Sequence, residues 1–346
     1  MGKLVSKTAI RKNKSSYSVD QMIGWYISDL DEYAPNITDD MKKYRTEIAK
    51  QGNEASTKLS LAIMKHCAFV SKNEKAREML TSRYVGLAAA NIVKTKNAKS
   101  IYDLVNFLVD LKHDDERFVN MEIDFEKYSK AIAETKDLKY NRYWIESFEE
   151  YDANFELLLN SNDAESSLFL ANMFSLSKED FKKCEDVVLK AKNAELSQAF
   201  YEIDGSNKAK HRKNIIDSKN SLVNSSFLID KKCTTKQINE HKAAIYTSSD
   251  SNKLKALVCA LSANSSLFSE TEINEIVKNV VKTRNTKLAR NLLLNDSLSV
   301  NLKAKLEKLI LNSKDKSAIH TLTNVRFNEE IRQKAKEREK ELSVSI

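Results

Sequence analysis

The sequence predicts an all-α chain of two-helix repeats stacked as a right-handed solenoid, and three observations carry that prediction. Residues that make tight turns are almost absent: 346 residues include five glycines and one proline, Pro35. Sandwiches, barrels and doubly wound sheets need φ > 0 or a fixed φ at each reversal. A chain this poor in both reverses at helix–helix turns, with Asn, Asp, Ser and Lys in them. Apolar residues recur at helical spacing, as in Ile101, Leu104, Val105 and Leu108. A short polar signature also returns along most of the chain.

That signature is an apolar pair, a polar step, a base, Asn or Asp, and then a new amphipathic helix. Asn91-Ile-Val-Lys-Thr-Lys-Asn-Ala-Lys99 and Asn279-Val-Val-Lys-Thr-Arg-Asn-Thr-Lys287 differ only by Ile/Val, Lys/Arg and Ala/Thr exchanges. Further copies lie at Phe69–Asn73, Ile132–Asp137, Val188–Asn193, Ile216–Asn220 and Leu309–Asp315. Copies without the base lie at Leu159–Asp163 and Tyr246–Asp250. The Asn or Asp falls at 73, 97, 137, 163, 193, 220, 250, 285 and 315, at intervals of 24 to 40 that mostly lie near 30. Two helices of about 11 residues and two turns fill such an interval. Neither helix of a pair buries its apolar stripe alone, so the units must stack. The Asn or Asp is expected either as a left-handed C-terminal residue or as the N-cap of the following helix. The base before it sits where it favours the helix dipole.

The pattern resembles α-helical solenoids of the HEAT or armadillo-like class over about residues 57–327. The resemblance is one of architecture. The unit is shorter than the usual HEAT unit, and the tetratricopeptide and ankyrin motifs are absent.

The elements follow in order. Residues 1–16 form a basic arm with Lys3, Lys7, Arg11, Lys12 and Lys14 and no acid. Its Met1–Lys7 start fits the loose N-myristoylation pattern, so contact with a membrane is expected only if Gly2 is acylated. Residues 17–56 read as a helical cap. A capping box starts it at Ser18–Gln21, Pro35 interrupts it, and a new start follows at Thr38. Residues 57–327 are the repeats, with an irregular, aromatic-rich segment at 110–160 where a bend or boundary is expected. Residues 328–346 read as a charged helix with pairs such as Glu330–Lys334, a polar cap or solvated tail.

Composition excludes several function classes. Five scattered glycines leave no Walker or dinucleotide fingerprint. The five histidines show no metal-ligand spacing, and the four cysteines show no CxxC, as expected of small buried residues in a reducing compartment. His66 adjoins Cys67, but neighbours on a helix point about 100° apart. Asp114, Asp115 and Glu116 read as a solvated turn. No catalytic residue, cofactor or metal site is expected. No apolar run reaches the length of a membrane span, which leads us to expect a cytoplasmic protein. Abundant Lys, Asn, Ile and Ser suits an AT-rich genome such as a phage's, with the host cytoplasm as the compartment.

Two surfaces remain as candidates. In a solenoid the bases before each joint align: Lys72, Lys96, Lys136, Lys192, Lys219, Arg284 and Lys314, widened by Lys287 and Arg290. With a net charge of +8 this ridge could follow a phosphate backbone, although 49 acids are interleaved and dipole compensation alone accounts for such bases. The aromatics Tyr140, Tyr143, Trp144, Phe148 and Tyr151 could hold a protein partner. The leading expectation is a non-catalytic scaffold for macromolecular interaction, with a protein as partner. The alternative is a nucleic-acid-binding protein using the ridge and the arm. A third class, the helical-repeat DNA glycosylases, needs a Trp/Asp/Arg arrangement that Trp25 and Trp144 do not supply.

Overall fold

Helix follows helix along the whole described chain, with no strand among the described residues. The computed structural model describes residues 46, 50, 54–71, 74–230 and 233–344. The arm at 1–16, its acylation pattern, the capping box at Ser18 and the start at Thr38 lie outside them.

The chain divides into two compact units, Met1–Phe174 and Ser175–Ile346. In the first, α1 (Glu54–Lys65) runs into a π-helical turn (His66–Val70), followed by α2 (Glu74–Glu78) and α3 (Ser82–Lys94). Then come α4 (Ala98–Asp114), a 3₁₀ turn (Glu116–Phe118), α5 (Phe125–Thr135), α6 (Leu138–Ser147), α7 (Asp152–Asn160) and α8 (Ala164–Met173). The second unit holds α9 (Lys178–Lys190), α10 (Ala194–Tyr201), α11 (Lys208–Ser218), α12 (Ser221–Asp230) and α13 (Thr235–Thr247). It ends with α14 (Lys253–Ala263), α15 (Glu270–Thr283), α16 (Thr286–Leu293), α17 (Val300–Leu311), α18 (Lys316–Thr321) and α19 (Glu329–Val344). Among the described residues no helix is long and apolar enough to cross a membrane.

Helices pack on their chain neighbours and also on the helix two places along. In the second unit α10 lies on α12, α12 on α14, α14 on α16 and α16 on α18. The odd-numbered set does the same, with α9 on α11, α11 on α13, α15 on α17 and α17 on α19. In the first unit α4 lies on α6, α6 on α8, and α5 on α7.

Sequence position decides what goes inside. Five residues before each joint Asn or Asp stands a buried aliphatic side chain: Ile92, Ile132 and Leu158 in the first unit, Val188, Ile215, Ile245, Val280 and Ile310 in the second. Seven residues after it stands another buried side chain, such as Leu104, Trp144, Phe200, Phe227 or Leu292. Each of these removes apolar area from water, worth about 1.5–3 kcal/mol per side chain.

The irregular stretch is ordinary helix on either side of one long link. Asp115 caps the 3₁₀ turn and pairs with Arg117 Nη2 at 2.6 Å. The charged helix α19 is docked as well as solvated, because Ala335 is fully buried and the helix packs on α17 and α18.

Candidate functional site

The recurrent joint is a three-residue clasp. First comes a Ser or Thr whose hydroxyl donates back to the carbonyl of the buried aliphatic residue three positions earlier. Thr95 bonds Ile92 O at 2.7 Å, Thr135 bonds Ile132 O at 2.6 Å, Ser218 bonds Ile215 O at 2.6 Å and Ser313 bonds Ile310 O at 2.7 Å. In several joints the same hydroxyl accepts the N–H two residues on, as from Asp137 at 3.2 Å and Asn220 at 3.1 Å. This satisfies a helix-end carbonyl and an approaching N–H with one side chain.

The middle residue turns the chain. Lys96, Lys136, Lys192, Lys219 and Arg284 have φ between 51° and 58°, as does Asn162. The left-handed residue is therefore the base itself and not the Asn or Asp after it. Lys314 keeps a negative φ and Lys72 lies outside the described residues.

The third residue is the N-cap. Asn97 accepts from Ser100 N at 2.9 Å, Asp137 from Tyr140 N at 3.2 Å, Asn193 from Leu196 N at 3.0 Å, and Asn285 from Leu288 N at 3.1 Å. Of the two roles the sequence allowed for this residue, capping is the one adopted. Several joint acids are thereby committed to N–H and O–H donors. The Thr286 hydroxyl and Ala318 N–H hold Asp315 below the usual carboxylate range, and the Asn252 N–H does the same for Asp250.

Neighbouring joints of one unit touch. In the first, Lys96 Nζ lies 4.0 Å from Glu134, and Arg142 reaches Asp163 at 3.6 Å and Glu165 at 3.2 Å. In the second, Asn220 Nδ2 donates to Glu195 at 2.7 Å, Ser221 N to Asp250 at 3.2 Å, and Thr286 Oγ1 to Asp315 at 2.6 Å. Lys96 and Lys136 thus stand at adjacent corners of one unit, and so do Lys192 with Lys219 and Arg284 with Lys314. All six are exposed, as is Lys287, whereas Arg290 is half-buried and donates to Ser317 Oγ at 3.1 Å.

The aromatic candidates divide. Trp144 is fully buried, and its indole N–H donates to Glu150 O at 2.8 Å, so it belongs to the core and presents no surface to a partner. Phe148 and Tyr151 are half-buried, Phe148 stacking on Trp144 at 4.4 Å and Tyr151 on Phe174 at 5.4 Å. Tyr143 is exposed, with Tyr140 half-buried beside it at 5.7 Å. Sequence reading missed Tyr102, whose ring lies 5.9 Å from Tyr140 and 6.0 Å from Tyr143. It stands five residues after the joint Asn97, on the helix that packs against α6.

Two buried histidines also went unread. His211 stacks on Phe200 at 5.1 Å and faces Glu185 Oε1 at 3.2 Å, and burial lowers its pKa against the pull of that carboxylate. His241 stacks on Phe227 at 5.0 Å, and burial, with Arg212 nearby, pushes it down to about 4. The signal was available, because the two stand 30 residues apart, the spacing near which most of the joints recur. Among the described residues no group of three or more His, Cys, Asp or Glu is placed to hold a metal ion.

Comparison with family models, with curated proteins and with solved structures finds no match to this chain.

Proposed function

We propose that the chain is a non-catalytic helical-repeat scaffold for macromolecular interaction, its helix pairs stacked as a HEAT-like solenoid within each compact unit and expected to wind right-handed. The observation that supports this most is the packing of like on like: most odd helices lie on odd and even on even, and parts of the same clasp recur at most joints. Stacked pairs expose a long surface on which each pair offers an equivalent corner. The cytoplasm is the proposed compartment. Affinity purification from the source cell, with and without nuclease, tests the scaffold role. A protein retained after nuclease supports it. If nothing is retained in either sample, the proposal is wrong.

A second reading, contact with a nucleic-acid backbone, is favoured by the residue that sits at φ > 0. Gly and Asn adopt that conformation most readily, and Asn162 shows that the joint accepts one of them. Five joints instead place a cation there, pointing from an exposed corner. Phosphate contact makes affinity fall steeply with salt. Fluorescence anisotropy with a labelled duplex and a single strand at about 50 and about 200 mM salt reads that slope. Reversing Lys96, Lys192, Arg284 and Lys314 to Glu is expected to abolish binding, while reversing Lys334 and Lys336 leaves it unchanged. Equal loss from both sets removes this reading.

A further inference from the structure

We infer that the tyrosine cluster on α4 and α6, with Tyr143 exposed and Tyr102 and Tyr140 half-buried, is a stacking platform for single-stranded nucleic acid, with Lys136 and Lys139 holding its phosphates. This rests on the nucleic-acid reading above and names the ligand class at one place in the first unit.

Three rings meet on the outer side of two packed helices. Tyr102, Tyr140 and Tyr143 are mutually 5.7–6.0 Å apart; Tyr143 is 38% exposed, while Tyr102 and Tyr140 are half-buried against the core. The Tyr102 hydroxyl is tied to Ser147 Oγ at 2.8 Å, which fixes its ring plane. The ammonium of Lys139 stands over two of the rings, 5.9 Å from Tyr140 and 5.5 Å from Tyr143. Rigid rings with a cation beside them bind any base through its face and the adjoining phosphate through charge.

Charge selects the occupant. Along the chain Lys94, Lys96 and Lys99 precede Tyr102, and Lys136, Lys139 and Arg142 flank Tyr140, with Asp103, Glu134, Asp137 and Glu146 interleaved. Lys139 stands over two of the rings and Lys99 lies near Tyr140. Asp103 is held by Lys99 at 3.0 Å, and Asp137 is committed to the N-terminal N–H groups of α6. Arg142 is likewise held by Asp163 and Glu165. Lys94, Lys136 and Lys139 are exposed and form no salt bridge among the described residues; Lys139, over the rings, and Lys136, three residues before it, are the two nearest Tyr140 along the chain. A duplex keeps its base faces inside the stack and reaches only the lysines. An acidic peptide also reaches only the lysines. A single strand uses the rings and the lysines together.

The test is anisotropy of the full chain with fluorescein-labelled oligonucleotides of about 12 nucleotides, oligo-dT, oligo-U and a mixed-sequence duplex of the same length, at low salt. Both single strands are expected to bind more tightly than the duplex. Tyr143→Ala is expected to weaken them more than fivefold while Tyr143→Phe, which keeps the ring, binds as wild type. Lys136→Ala with Lys139→Ala is expected to weaken binding and flatten its salt dependence. If Tyr143→Ala binds like wild type, or poly-glutamate competes as well as oligo-dT, the platform is wrong. If at the same time reversal of Arg284 and Lys314 still abolishes duplex binding, the ridge reading survives without it. Absence of binding to all three oligonucleotides removes both.

Discussion

Two buried slots, one in each unit, share a backbone pattern and differ chiefly in one side chain. In the first, Asn141 Nδ2 donates to Asp137 O at 2.7 Å and Ile132 O at 3.4 Å, leaving Oδ1 to accept from Asn154 Nδ2 at 2.7 Å. In the second, Asn224 Nδ2 donates to Asn220 O at 2.9 Å and Ile215 O at 3.1 Å, leaving Oδ1 to face His241 Nδ1 at 2.8 Å. Asn154 and His241 occupy the same place, four residues before the buried Leu158 and Ile245. Because Asn224 Oδ1 only accepts, Nδ1 of His241 carries the proton and Nε2 is left bare. Among the described residues no hydrogen-bond partner meets that Nε2. Asn154 by contrast is satisfied on both ends, with Ser129 Oγ donating to its Oδ1 at 2.6 Å. The same joint thus builds a pH-insensitive contact in one unit and a titratable one in the other.

The largest expected effect follows from that bare nitrogen. Burial, with the Arg212 charge nearby, disfavours a second proton on the ring and pushes His241 to about 4. Its folded pKa lies below the unfolded value of about 6.5, so its contribution to stability is complete above that pH and is lost as pH falls towards 4. The loss from His241 alone is about 3 kcal/mol. His211, also lowered by burial, acts in the same direction. Hydrogen exchange followed by mass spectrometry at pH 7.5 and pH 5 (roughly either side of the free imidazole value) is expected to show α11–α14 opening with acid while α5–α8 hold. His241→Asn, which copies the first unit, is expected to remove the His241 part of that loss. An acid response confined to the first unit would break the comparison.

The acceptor side gives the next effect. Asn224→Ala leaves the His241 Nδ1–H without its partner, at about 2–3 kcal/mol with the cavity included. Asn141→Ala is expected to cost less, about 1–2 kcal/mol, because Asn154 Nδ2 keeps a second acceptor in Ser129 O at 3.3 Å. Urea unfolding followed by circular dichroism compares the two, and Trp144 fluorescence adds a probe within the first unit. Equal costs would mean that the histidine slot is no more demanding than the asparagine one.

Capping effects are smaller and are expected to be the same in both units. Asp137→Ala and Asn220→Ala each remove an N-cap, worth about 1 kcal/mol. If thermal unfolding finds one joint far costlier than the other, the two joints are not equivalent.

The joints were legible in the sequence because their chemistry is local. Thr95-Lys-Asn97 and Thr283-Arg-Asn285 stand in near-identical strings, and each residue acts within four positions of itself. What escaped was the division of labour inside the clasp, since φ at Lys96 is decided by how α3 must meet α4. Tyr102, the third ring beside the candidates Tyr140 and Tyr143, escaped for a different reason. Tyr102 and Tyr140 become neighbours only through the packing of α4 on α6, which no string of residues states. Trp144 was misplaced among surface aromatics because its spacing, seven residues after Asp137, reads as core only once Leu104, Phe200 and Phe227 are seen at the same offset.

The smallest effect concerns the left-handed residue and bears on why a cation is there. A non-glycine side chain in this conformation costs about 1–2 kcal/mol, part of which glycine returns through its greater freedom in the unfolded chain. Lys136→Gly in the first unit and Lys219→Gly in the second are each expected to stabilise by about 0.5–1 kcal/mol. Asn162→Gly is expected to gain less, because asparagine already tolerates the turn. Thermal melts of the three variants measure this. Equal gains at Lys136 and Lys219 would show that the two units share one strained corner however much their buried slots differ. A loss at either would show that the lysine side chain stabilises the helix end by more than its backbone strain costs, and the ridge would then need no ligand to account for it.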